Sequence, residues 1–329
     1  MVYAIHSKCI DRKVMGVQVS PPAHMKNSPK IKPKILVVLG PTSSGKSDFA
    51  VNLALKYNGE IISADSRQVY KGMDLGTGKI TKAEMKDIPH HMLDVASPKS
   101  VYNVSKYKIK AQKIIADILK RNKLPIICGG TGFYIDAVVD NIVLPEVLPN
   151  QKLRNSLEKK SVSTLFAMLK KLDPARASNI DSQNKVRLVR AIEIAKSLGA
   201  VPKIESSQLY HPLFIGLDLP DLALKERIRT RLLRRLDAGM VAEVARLHKQ
   251  GVSYKKLEKF GLEYRNCALY LQGKITLEKM CENINIESFQ YAKRQRTWFY
   301  RNPRIIWLNP LKKSDIKKVE KSVRNFFHK

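Results

Sequence analysis

Ile35-Leu36-Val37-Val38-Leu39-Gly40-Pro41-Thr42-Ser43-Ser44-Gly45-Lys46-Ser47 joins a short apolar run to a glycine-bearing loop. The run is apolar, uninterrupted and rich in β-branched residues, the pattern of a strand buried on both faces of a parallel sheet. Gly40 to Ser47 fits G-x-x-x-x-G-K-[ST] at every fixed position. The glycines let backbone wrap closely around phosphate oxygens, and amides at the start of the following helix point at the anion. Lys46 neutralises phosphate charge and Ser47 offers a hydroxyl ligand for Mg²⁺. The motif specifies phosphate but not which phosphate. Nucleoside triphosphates such as ATP are its usual occupant, and a diphosphate ester fits the same cradle.

Outward from this loop, periodicity predicts a helix over 47–57, a strand over 60–64, an amphipathic helix over 107–122 and a strand over 124–128. In the 107–122 helix, Ile109, Ile114, Ile115, Ile118 and Leu119 are read as one apolar side. Strand–helix–strand alternation defines a doubly wound α/β core with a parallel sheet. From Asn141 the texture turns helical, with helices over 151–160, 162–172 and 184–198, until an apolar strand over 211–217 resumes the core. Further helices are expected over 222–238, 241–250 and 276–300. The organisation is therefore a basic arm (1–34), a catalytic core (35–140 and 208–329) with a helical C-terminal part, and a helical insertion (141–207).

The chain has 329 residues, 44% of them hydrophobic, which is enough to bury a substantial core and excludes wholesale disorder. No apolar run is long enough to form a transmembrane helix. Sixty Lys and Arg against 29 Asp and Glu give a formal net charge of +31. An excess of that size points to a polyanionic partner, nucleic acid before a membrane surface. Residues 1–34 contribute seven basic residues and one acid, and residues 251–329 contribute 18 against 7. The four cysteines, Cys9, Cys128, Cys267 and Cys281, form no Cys-x-x-Cys pair. They read as small apolar residues of a reducing compartment, not as a disulfide or zinc framework.

Asp65 follows the second predicted strand, and Gly129-Gly130-Thr131-Gly132 follows the third. Ligands of open parallel sheets bind at these carboxyl ends, so both segments face the same crevice as the phosphate loop. From spacing alone, Asp65 could ligate Mg²⁺, cap a loop or act as a base. The glycine turn could be structural or could line the crevice.

Gly40–Ser47 as GPTSSGKS, Ala64–Tyr70 as ADSRQVY, Lys71–Lys79 as KGMDLGTGK, Gly129–Tyr134 as GGTGFY, Arg187–Glu193 as RLVRAIE, Arg227–Arg231 as RIRTR and Ala292–Trp298 as AKRQRTW occur in this order. Together they resemble the tRNA dimethylallyltransferases, also called tRNA isopentenyltransferases, over roughly residues 35–308. The resemblance implies transfer of a dimethylallyl group from its diphosphate to N6 of the adenosine on the 3′ side of the anticodon, in tRNAs that read codons beginning with U. It implies that Gly40, Pro41, Thr42, Ser43, Ser44, Gly45, Lys46 and Ser47 hold the donor diphosphate with Arg231, in the presence of Mg²⁺. Asp65 becomes the general base, with Ser47 and Arg231 completing the catalytic set. Asp65, Ser66, Arg67, Gln68, Thr131, Arg154, Val186, Arg187, Leu188, Val189 and Arg190 are placed on the tRNA side. The family pattern further implies a cytoplasmic, monomeric enzyme of bacterial type, since the long eukaryotic C-terminal zinc finger is absent. Family members often carry Gly-Tyr-Arg, whereas here two residues separate Gly261 from Tyr264-Arg265.

Beside the resemblance, basic Lys293, Arg294, Arg296 and Arg301 interleave with Trp298, Phe299 and Tyr300, a composition suited to single-stranded RNA. Trp298 and Phe299 are read as core by their size. Three alternatives remain at this level. A prenyltransferase of free adenine nucleotides would share the loop and Asp65 but has no use for the insertion or the charge. A phosphate-loop kinase or ATPase would need a nucleotide-base pocket. A non-catalytic RNA-binding protein would not need the loop and Asp65 together.

Overall fold

The computed structural model describes residues 32–203 and 205–328, so the expected basic arm lies outside the described residues except for its last three positions. Pairing begins in those three: the Pro33 carbonyl accepts from the His211 amide at 2.9 Å, and the first strand starts at Lys34, one residue earlier than the apolar run. The first half of the chain forms β1 (Lys34–Leu39), α1 (Lys46–Lys56), β2 (Gly59–Ser63), the short α2 (Lys82–Met85), β3 (His90–His91), α3 (Val104–Lys120), β4 (Leu124–Gly129) and α4 (Gly132–Val139). Helices α5 (Gln151–Glu158), α6 (Val162–Leu172), α7 (Pro174–Ala177) and α8 (Lys185–Leu198) follow, then β5 (His211–Leu217). The remainder is α9 (Asp221–Asp237), α10 (Met240–Lys249), α11 (Tyr254–Phe260), α12 (Leu262–Leu271), α13 (Leu277–Phe299), β6 (Ile305–Leu308) and α14 (Lys313–His328).

The strands form one parallel sheet in the order β3-β2-β4-β1-β5-β6. Because side chains alternate across a strand, β1 feeds two cores. Ile35, Val37 and Leu39 pack with Tyr107, Ile115 and Ile118 of α3, Tyr134 of α4 and Phe299 of α13. Leu36 and Val38 pack on the other face with Ala50, Val51 and Ala54 of α1 and Val319 and Val323 of α14. Helices therefore cover both faces, as the alternation of elements predicts.

Three local readings are corrected. Helix α3 starts at Val104, where the Asn103 side chain accepts from the Lys106 amide at 3.0 Å and caps it. Its buried stripe runs through Tyr107, Ala111, Ile115 and Ile118, and Ile109 faces out. The C-terminal part is not helical throughout: Ile305–Leu308 adds an edge strand parallel to β5, with Gly216 opposite Trp307. No helix among the described residues is long and apolar enough to cross a membrane. Cys128 and Cys267 are buried free thiols, each pushed up to about 12 by burial, and thus poor nucleophiles.

Helices α5–α8 build a separate apolar cluster from Leu157, Leu165, Leu169, Ala177, Leu188, Val189, Ala191 and Ile192. The two chain segments leading in and out hydrogen-bond to each other: the Val143 amide to the Glu205 carbonyl (2.9 Å), the Ser207 amide to the Asp140 carbonyl (3.1 Å), and Asn141 Nδ2 to Ser207 Oγ (2.8 Å). Lys108 and Gln112 of α3 bind this stalk through the Ile142 carbonyl and Asn141 Oδ1.

At the end of α13, Trp298 Nε1 donates to Asp136 at 2.9 Å, beside a cavity of about 460 Å³ bordered by Leu39, Phe214 and Arg304. Burial raises the Asp136 carboxyl to about 6, with the Trp298 bond opposing the shift. An acid whose folded pKa exceeds its unfolded value penalises the fold once ionised. The penalty is absent below about pH 4 and complete above about pH 6. Asp136→Asn keeps an acceptor for Trp298 without the charge. It is expected to raise stability by about 1–3 kcal/mol at pH 8 and by little at pH 4, which a pH series of thermal melts measures.

Candidate phosphate and acceptor site

The loop from Gly40 to Gly45 leaves β1 at the sheet's carboxyl end and enters α1 at Lys46. Gly40 has φ +150° and lies so close to β5 that a Cβ would meet the Leu217 carbonyl at 2.3 Å, so no other residue fits. Lys46 Nζ folds back to the Pro41 carbonyl at 3.2 Å. Its pKa is lowered by burial first; Cys128 opposes that, Arg231 adds to it, and Asp65 opposes it. The ammonium thus sits in the field of both groups that the family pattern couples to it.

Asp65 occupies the turn after β2. Its Oδ1 accepts from the Arg67 amide (2.8 Å) and the Gln68 amide (3.4 Å), which orients the carboxylate. Oδ2 receives no protein donor among the described residues, so one oxygen is held and the other is open. The Ser66 amide donates to Thr131 Oγ1 at 3.0 Å, and the Thr131 amide donates to the Ala64 carbonyl at 3.1 Å. The two turns, after β2 and after β4, are therefore one unit. Gln68 extends it, with its side chain meeting Ser63 Oγ (3.1 Å) and the Gly78 carbonyl (3.3 Å). Arg67 is exposed, its guanidinium 5.7 Å from the Phe260 ring centre.

On α9, Ile228 is buried, and Arg227 and Arg231 flank it toward the site. Arg227 Nη1 reaches the Ser44 carbonyl at 3.4 Å, and Arg231 Nη2 donates to the Gly78 carbonyl at 2.7 Å. The Arg231 pKa is lowered by burial and then by Arg235, while Glu263 and Asp65 oppose. A buried cation beside a second cation is held ready for an anion.

A residue of the AKRQRTW motif to which the sequence assigns no role also shapes the loop. Gln295 of α13 is buried, accepts from the Thr42 amide at 2.8 Å and donates to the Gly130 carbonyl at 2.8 Å, fastening the phosphate loop to the Thr131 turn. A Cβ on Gly130 would meet its amide nitrogen at 2.2 Å, so the glycine admits this side chain. Trp298 is half-buried and stays partly in the core, and Phe299 is wholly core.

Arg154, Val186, Arg187, Leu188, Val189 and Arg190 lie on the α5–α8 segment. Val186 and Arg187 are exposed, and Arg190 is half-buried. Leu188 and Val189 differ from their neighbours: both side chains are buried in that segment's own apolar cluster. Arg154 donates to Glu193 through Nε (2.9 Å) and Nη2 (2.6 Å), and Arg190 Nη1 to the same carboxylate at 2.5 Å. Tyr264 is buried, while Arg265 pairs with Glu287 at 2.6 Å and is partly exposed.

For a cation, the described residues hold no cluster of three or more His, Cys, Asp or Glu. The exposed Ser47 at the first turn of α1 supplies one hard oxygen, and Ser44 Oγ inside the loop is buried without a partner. Such a sparse donor set fits Mg²⁺, which takes most of its ligands from phosphate oxygens and water.

A parallel sheet with a phosphate loop on an inner strand, and an oriented carboxylate on the turn after β2, places the chain among the doubly wound α/β proteins that bind a phosphate-bearing ligand at the carboxyl ends of the strands. The IPP transferase family model matches residues 68–302. A tRNA dimethylallyltransferase 2 of Treponema denticola is 44% identical over 274 residues, covering 81% of this chain and 91% of the relative. One from Leuconostoc citreum is 40% identical over 277 residues, covering 84% of this chain and 94% of its own. The full-length tRNA isopentenylpyrophosphate transferase of Bacillus halodurans superposes with a TM-score of 0.67 at 33% identity, covering 90% of this chain and 96% of its own. A eukaryotic dimethylallyltransferase crystallised acting on tRNA gives 0.74 at 25% identity, over 88% and 78%. The chain belongs to the tRNA dimethylallyltransferase (IPP transferase) family.

Proposed function

We propose that this protein transfers a dimethylallyl group from dimethylallyl diphosphate to tRNA, at N6 of the adenosine next to the anticodon on its 3′ side, in tRNAs reading U-initial codons. The observation that carries the reading is Asp65: one oxygen is fixed by two backbone amides and the other is open, in the field shared with Lys46 and Arg231. N6 attacks C1 of the donor, the C1–O bond breaks, and pyrophosphate leaves with the electron pair. The proton lost from N6 passes to Asp65. An exocyclic amine is a weak nucleophile, so positioning and proton acceptance matter more than added basicity. Loop amides, Lys46 and Arg231 stabilise the charge growing on the leaving group. Ser47 would hold a Mg²⁺ ion, which would supply further positive charge near the leaving pyrophosphate.

The target base leaves its stack at a cost of roughly a few kcal/mol, offset by phosphate contacts of the basic surface, including those of the α5–α8 segment. Free AMP needs neither that segment nor a net charge of +31. We place the reaction in the cytoplasm and assign it to a monomer, as the family pattern implies. Labelled dimethylallyl diphosphate offered in parallel to bulk tRNA, AMP and ATP tests the reading. Label in tRNA alone is expected, and label in AMP alone would overturn it.

A further inference from the structure

The loop Asp74–Gly78 has little secondary structure of its own, yet it is bound on every side. Glu243 of α10 is buried, and its carboxylate accepts from three consecutive amides: Asp74 (2.9 Å), Leu75 (2.8 Å) and Gly76 (3.1 Å). Tyr264 adds a fourth donor through its hydroxyl at 2.7 Å. Successive amides converging on one anion make a rigid nest, and a buried carboxylate with four donors is fully satisfied. From α9, Arg235 Nη1 donates to the Leu75 and Gly76 carbonyls, each at 3.2 Å. Lys79 ties down the end of the loop through Asp74 (2.5 Å) and Asp94 (2.6 Å).

What this loop presents is the Gly78 carbonyl. That one oxygen accepts from Arg231 Nη2 at 2.7 Å and from Gln68 Nε2 at 3.3 Å. Its place sets how Arg231 turns toward the phosphate loop and how Gln68 sits beside Asp65. A loop held only by its termini would let this oxygen wander, and sub-ångström displacement of a charge-stabilising group is felt at the reacting centre. We infer that Glu243 is a positioning residue for Arg231, acting through the Asp74–Gly78 loop to aim the guanidinium at the donor diphosphate. This rests on the reading of Arg231 as a diphosphate ligand.

The test is a double-mutant cycle on the full chain, read by calorimetric binding of inorganic pyrophosphate with Mg²⁺. Glu243→Gln is expected to weaken binding about five- to tenfold, and Arg231→Lys at least tenfold. Together they should be within twofold of Arg231→Lys alone, because the glutamate acts through the arginine. In turnover, the donor KM should rise in Glu243→Gln while the tRNA KM stays within twofold. Losses that multiply in the double variant, or an unchanged pyrophosphate affinity in Glu243→Gln, would overturn the inference. If Glu243→Gln does not fold, Tyr264→Phe, which removes one donor to the same carboxylate, carries the cycle with an expected two- to fourfold single loss. No pyrophosphate binding by the wild-type chain would overturn the donor assignment along with it, whereas binding with multiplicative losses overturns only the role of Glu243.

Discussion

Asp65→Ala is expected to lower kcat by about a hundredfold to ten-thousandfold, the range for loss of a positioned general base, while tRNA affinity changes by less than about threefold. The asymmetry follows from where the residue sits. Its carboxylate lies in a turn held by the backbone: Thr131 takes the Ser66 amide, and the Ala64 amide and carbonyl pair with Cys128 and Thr131. Losing the side chain frees two amides, those of Arg67 and Gln68, at a partly exposed position where water can replace the acceptor. Binding of the anticodon arm draws on many phosphate contacts and does not depend on one acid. Asp65→Asn refines the experiment, because its amide oxygen can still accept from Arg67 and Gln68 but it cannot take the proton. Single-turnover transfer with filter-binding of tRNA separates the two quantities. Full turnover in Asp65→Asn would remove the base assignment, and loss of tRNA binding in both variants would make the residue a recognition element.

What could be read in the sequence follows how far apart the cooperating residues lie. The loop, its strand and its helix are contiguous, so their spacing carries them. Asp65 is singled out as a crevice residue by its place at a strand end, because a parallel sheet exposes its carboxyl ends along one edge, whereas its role as base comes only from the resemblance. Gln295 and Glu243 act on residues 253 and about 168 positions away. Nothing local to AKRQRTW or to the α10 helix announces that one fastens the Thr42 amide and the other a nest of three. The strand β6 escapes for a different reason. Four residues between a helix and a polar turn carry too little pattern, and Ile305–Leu308 pairs as a strand because β5 offers an open edge. Leu188 and Val189 sit in a motif whose resemblance points to RNA. Yet helical geometry turns neighbouring residues to different sides, so a run of five cannot face one partner throughout. Val186 and Arg187 stay outside while Leu188 and Val189 go in.

The same segment yields the second large effect. Glu193 of α8 is almost wholly buried and gathers Arg154, Arg190 and the Asn150 amide, the last at 2.7 Å. It therefore pins the start of α5 to α8. Burial alone would raise its pKa, but the two guanidiniums and the amide outweigh burial and hold it down at about 2. A carboxyl depressed in the fold contributes stability above its unfolded pKa, near 4.5, and loses it as pH falls toward 2. Glu193→Ala leaves the Asn150 amide and the Arg154 guanidinium without their acceptor, while Arg190 keeps only the Val147 carbonyl. Solvent recovers part of that, so a loss of roughly 2–4 kcal/mol in the stability of α5–α8 is expected. Because Val186, Arg187 and Arg190 ride on α8 and Arg154 on α5, tRNA affinity should fall at least tenfold while pyrophosphate binding at the Gly40–Ser47 loop is spared. Glu193→Gln keeps the shape and one strong acceptor, so it should lose less and should show a smaller drop in melting temperature than the wild type between about pH 4.5 and 2, the rest of the drop coming from other depressed carboxyls such as Glu60 and Asp173. Equal loss of tRNA and pyrophosphate binding in Glu193→Ala would mean that α5–α8 is inseparable from the core. Unchanged tRNA affinity would mean that the anticodon arm is held elsewhere.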